Sequence, residues 1–147
     1  MDTYFEISES GNIVRIEPMG FRKYESDIDW HENWIKTKIF VKGGSFSGEY
    51  IADIRPVDFV QFKKSLNVLY DNLSGAAEFN DVEEYLTLKI KGDGIGHFEM
   101  QVTACDKPGF EASYLNFTMH FDQTYIKGLV NNLNKITEEF PVTGNFR

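Results

Sequence analysis

The chain has 147 residues and carries 15 Lys+Arg against 23 Asp+Glu, a net charge of −8, with a sequence pI near 4.8. That length fits one domain with a sizeable core, and 13 Phe, 7 Tyr and 2 Trp are too many large apolar side chains for a disordered polymer. The acidity argues against a protein that grips a phosphate backbone or docks on an anionic membrane, and no apolar run is long enough to span a bilayer.

The first ten residues show neither a basic n-region nor an apolar h-region, so no secretory leader is expected. With Cys105 as the single cysteine, no internal disulfide is available, and a reduced, cytoplasmic setting is the expectation. The charge is uneven. Residues 1–34 hold eight acids (Asp2, Glu6, Glu9, Glu17, Glu25, Asp27, Asp29, Glu32) against Arg15, Arg22 and Lys23, whereas 35–73 are mildly basic and 74–147 acidic again.

Two short alternating segments near Tyr4–Ser8 and Ile13–Glu17 read as opening strands. Trp34–Lys42 is rich in Ile, Phe and Val and runs into Gly43-Gly44, a hairpin signal. The next strand, Phe46–Arg55, turns Tyr50, Ala52 and Ile54 to one face and Glu49 and Asp53 to the other. Phe59, Phe62, Leu66, Leu69 and Leu73 then recur at helical spacing, with Asp58 as expected N-cap, Gln61 three residues on and Gly75 as stop. Leu86, Leu88 and Ile90 alternate with Thr87, Lys89 and Lys91; Phe98, Met100, Val102 and Ala104 alternate with His97, Glu99, Gln101 and Thr103. Leu115, Phe117, Met119 and Phe121 do the same against Tyr114, Asn116, Thr118 and His120. A second helical stripe follows in Ile126, Leu129, Leu133, Ile136 and Phe140, capped by Asp122 and ended by Pro141. Clean alternation marks antiparallel sheet with one wet face. The reading is a single α+β domain over residues 1–147, with about six to eight strands, two amphipathic helices on one face, and the order strands, helix, strands, helix.

Chemistry is sparse. Gly92-Asp93-Gly94-Ile95-Gly96-His97 is glycine-rich, but alternation on both sides makes it a hairpin turn, not a phosphate loop before a helix. The segment Glu25–Glu32 lacks the central glycine of a calcium loop, so no metal site is expected. Its acids Asp27, Asp29 and Glu32 around Trp30 are instead the make-up of a surface that steers and anchors a basic protein. His97 and His120 fall on the wet sheet face with Glu49, Asp53 and Glu99 as companions, leaving open a small enzyme or ligand site there. Nothing matches a nucleophile elbow, a zinc-peptidase helix or a nucleotide fingerprint, so neither catalytic residues nor a cofactor are expected.

Several features recur in one order. They are Trp34 with its strand, the Gly43-Gly44-Ser45-Phe46-Ser47-Gly48 hairpin, the Phe59–Leu73 helix, the Gly92–His97 turn and Asp122-Gln123-Thr124-Tyr125-Ile126. In this the chain resembles, over about residues 13–141, the WapI-like bacterial immunity proteins, partners of WapA-type polymorphic toxins. The resemblance implies a non-enzymatic cytoplasmic protein that neutralises a cognate toxin domain by binding it. An acidic inhibitor suits a toxin with a basic active surface. The motifs are turns, caps and stripes, so no functional residue is carried over.

Overall fold

The computed structural model describes residues 3–22 and 34–142. Eight strands form two four-stranded antiparallel meanders, each followed by a helix. The first unit consists of β1 (Phe5–Glu9), β2 (Asn12–Phe21), β3 (Ile35–Gly43), β4 (Phe46–Ile54) and α1 (Pro56–Asn72). The second consists of β5 (Ser74–Asn80), β6 (Leu86–Asp93), β7 (His97–Cys105), β8 (Tyr114–Asp122) and α2 (Gln123–Glu139). In both units the strands pair in sequence order, as short connections between neighbouring antiparallel strands favour. The expected α+β class and element order hold, with the strands divided between two sheets.

The apolar half of each alternation faces a continuous core shared by both units. Phe62, in the middle of α1, meets Phe5 of the first sheet at a ring separation of 5.4 Å and Phe79 of the second at 5.5 Å. One helical side chain thus joins the two sheets, and Phe59 adds a second contact to Phe79 at 5.7 Å. The helix stripe exists because Phe59, Phe62, Leu66 and Leu69 fall on one side of a 3.6-residue repeat, and all four are buried. On α2, Ile126, Leu129, Leu133 and Ile136 do the same. That helix reaches back across the first unit, where the Tyr125 hydroxyl donates to the Ser8 carbonyl at 2.8 Å. Lys63 of α1 donates to the Thr137 hydroxyl of α2 at 3.1 Å.

Three local expectations need correction. Asp58 is not the N-cap of α1. The cap is Arg55, with Pro56 opening the helix, and Asp58 lies at the third position, where its carboxylate accepts from the Arg55 amide at 3.1 Å. Proline tolerates the first helical turn because its missing N–H has no partner there anyway. The stop is Leu73 rather than Gly75; Leu73 adopts a left-handed φ of 61° and its amide donates to Leu69 O. Gly75 belongs to β5, a strand whose Ser-Gly-Ala-Ala start carries little β propensity and which the alternation argument did not find. Asp122 does cap α2, accepting from the Thr124 amide at 3.0 Å.

Where the chain must bury polar groups, it satisfies them locally. Thr37 is fully buried and its hydroxyl donates to Ile35 O at 3.0 Å. Asp81 is buried between β5 and β6 and accepts from the Leu86 amide at 2.9 Å and the Tyr85 amide at 3.1 Å. Burial raises the Asp81 carboxyl above its ordinary value, opposed by those two amide bonds. In β2 the register shifts between Pro18 and Gly20, a bulge that accommodates a residue without an N–H.

Candidate functional site

The polar face of the second sheet is built in cross-strand rows. Lys91 pairs with Glu99, and Glu99 with His120; in the neighbouring row His97 pairs with Asp122. Because β6–β8 present alternate residues outward, His97, Glu99 and His120 all project to solvent. Together with Lys91, Asp93 and Asp122 they line an open cleft of about 670 Å³, bordered also by the core pair Phe98 and Phe121, whose rings stack 5.8 Å apart.

The turn that shapes this cleft is the glycine-rich segment. Gly94 and Gly96 take φ of 91° and 106°, a region that only glycine enters without strain. Asp93 closes the turn by accepting from the Ile95 amide at 2.8 Å and the His97 amide at 3.1 Å. It is a hairpin, as alternation implies. The Ile95 amide, with a lesser contribution from that of His97, lowers the Asp93 carboxyl below its usual value. The Thr124 hydroxyl and amide do the same for Asp122. Both carboxylates are thus committed to backbone work at the cleft rim. Among the described residues no three or more His, Cys, Asp or Glu side chains are grouped to hold a metal ion.

A second concavity, of about 330 Å³, lies where the two sheets meet along the edge strands β4 and β8. Phe46, Glu49 and Tyr50 contribute from the first unit, and Asp106, Tyr114 and Leu115 from the second. The sheets approach closely there, since a Cβ placed on Gly43 would stand 2.7 Å from the Phe117 ring. Tyr50 secures the junction. Its ring stacks on Tyr85 at 6.2 Å and its hydroxyl donates to the Tyr85 carbonyl at 2.6 Å. Burial pushes that hydroxyl far above the ordinary phenol value. Opposite Cys105 on β7, Tyr114 is also pushed up, chiefly by its interaction with Cys105. Cys105 itself is buried.

Of the residues singled out in the sequence, the structure brings His97, Glu99 and His120 into one cleft, whereas Glu49 and Asp53 lie on β4 of the other sheet and are not their companions. Asp27, Asp29, Trp30 and Glu32 lie outside the described residues. Alternation alone did not find the inter-sheet groove, because it forms only when two separate sheets meet.

Two meanders each closed by a 17-residue helix define an α+β class of paired β-meander and helix units. Among solved structures this architecture is shared with Trypanosoma bruciei MRP1/MRP2, at a TM-score of 0.51 and 11% identity over 95% of this chain and 86% of that one. It is also shared with the plant transcriptional regulator PBF-2, at a TM-score of 0.52 and 12% identity over 95% of this chain and 82% of that one. At such identities the likeness concerns the fold alone. A comparison with curated proteins gives no significant match. The immunity protein WapI-like family matches over residues 5–141, nearly the whole chain, and the chain belongs to that family. Membership points to an immunity role with a protein toxin as partner. No helix of the described residues is long and apolar enough to cross a membrane.

Proposed function

We propose that this protein is a non-enzymatic, cytoplasmic immunity protein, a single domain that neutralises a cognate toxin domain by binding it directly. The family match over residues 5–141 carries this reading. The net charge of −8 supports it, because an acidic inhibitor associates rapidly with a toxin whose working surface is basic. The acidic segment with Asp27, Asp29, Trp30 and Glu32 supplies steering charge and an aromatic anchor for that encounter. Co-expression tests the function. A cognate toxin domain should arrest growth when produced alone, and growth should return when this protein is produced with it. Continued arrest with the protein abundant in the soluble fraction contradicts the proposal.

A second reading, a small-molecule site or a small enzyme, is favoured by one observation: His97 and His120 line the same 670 Å³ cleft. Its weakness is geometric. Both histidines are exposed, whereas an acid–base site holds its imidazole in a fixed orientation. Saturable binding of a small molecule, abolished in His97→Ala and His120→Ala, distinguishes it from the immunity reading.

A further inference from the structure

We infer that the groove between the edge strands β4 and β8 is a docking surface for the toxin partner, and that it receives a positively charged segment of that protein around the aromatic anchors Phe46 and Tyr114. The inference rests on the immunity reading and names the surface by which it acts. Phe46 is 71% and Tyr114 63% exposed, and both flank one groove. Each opens the last strand of its unit, so the two anchors come from different sheets and meet only because the sheets do. Exposed aromatics clustered at a concavity are the make-up of a protein interface, where their large rigid surfaces dominate the binding energy.

The groove is preformed. Tyr50 at its base is held by the Tyr85 carbonyl, and the Asp106 carboxylate fixes the rim by accepting from the Ser113 amide at 3.0 Å. Little ordering is therefore required when a partner arrives. Among the described residues both bordering strands are sheet edges, with no further strand paired to them.

Charge selects the occupant. The charged side chains lining the groove are Glu49 and Asp106, both acidic, and no Lys or Arg lines it among the described residues. A segment carrying Lys or Arg fits this lining. A second copy of the chain fits poorly, because a two-fold contact would set the same acids against each other in a protein already at −8.

Calorimetric titration of the purified cognate toxin domain into wild type, Phe46→Ala, Tyr114→Ala and Glu49→Lys tests this. The account expects each aromatic truncation to weaken binding by about tenfold or more. Glu49→Lys should slow association and flatten its dependence on salt. The folded state should be unchanged in all three, since the residues are exposed, and thermal melting of the free proteins checks this. If wild type binds and all three variants match it, the docking surface lies elsewhere and the immunity reading stands. If wild type itself does not bind, the immunity reading falls with it. If wild type is a dimer in solution that Phe46→Ala or Tyr114→Ala turns into a monomer, the groove is a self-association surface and the inference is overturned.

Discussion

Helices α1 and α2 are both 17 residues long and each carries a stripe of four buried apolar side chains at the same spacing of three, four and three, yet they begin in opposite ways. The start of α1 is buried. Asp58 is 4% exposed and accepts from the Arg55 guanidinium at 3.0 Å, while the Arg55 Nε is buried without a hydrogen-bond partner. At the start of α2 the carboxylate of Asp122 is exposed and bonds Thr124 at the rim of the histidine cleft. The connections diverge as well. Between the second and third strands, the first unit inserts residues 22–34 where the second has the tight turn Gly94–Gly96. Between the third and fourth, the first has a two-residue turn where the second inserts residues 106–113. Packing constrains the repeated stripes, whereas the connections and helix starts are free to differ.

Removing the side chain that joins the two units should cost most. Phe62→Ala should destabilise the protein by about 3–5 kcal/mol, and urea unfolding followed by two probes should remain a single transition. Two separated transitions would show that the sheets fold independently. Next in size is the buried helix start. Asp58→Ala removes an ion pair and the bond to the Arg55 amide, at about 2–3 kcal/mol, measured as a shifted urea midpoint at unchanged slope. Asp81→Ala leaves the Tyr85 and Leu86 amides without their acceptor and should cost about 1–3 kcal/mol. Asp81→Asn should recover part of that loss, because an amide oxygen can accept only one of the two bonds without turning its NH2 toward the other amide.

The smallest effect belongs to the exposed start of α2, and it carries a pH signature. Bonds from Thr124 hold Asp122 below its ordinary value, so its folded pKa lies below an unfolded one of about 3.9. The resulting stabilisation is present above the unfolded pKa and is lost as pH falls through the folded one. Melting temperatures of wild type and Asp122→Asn should therefore differ at pH 7 and converge in strong acid. Asp81 titrates in the opposite sense, because burial raises it, and comparing these two proteins cancels its contribution. An equal gap at all pH values would show that the Asp122 carboxylate does not contribute through its charge.

Both helices were legible because an apolar stripe at 3.6-residue spacing lines one side of a helix and would scatter over both faces of a strand. β7 and β8 were legible because strict alternation assigns every side chain a face. The cleft followed from that alternation, which puts His97 and His120 on one surface. β5 was not legible. Its pattern of small residues and Glu78 is held as a strand by pairing with β6, a long-range cause that no local window contains. Asp58 looked like a cap because capping residues and third-position acids belong to the same residue types, and only the backbone at Arg55 separates them. Phe46 keeps step with Tyr50 and Ala52 along β4, yet it is exposed. The strand runs past the core's edge, and only the meeting of β4 with β8 reveals the groove.

The central claim is neutralisation by direct binding, and a titration of toxin activity tests it most directly. With purified toxin domain held at fixed concentration, increasing amounts of this protein should reduce its activity in proportion and abolish it near one equivalent. Full toxin activity in a large excess of folded protein would contradict the account.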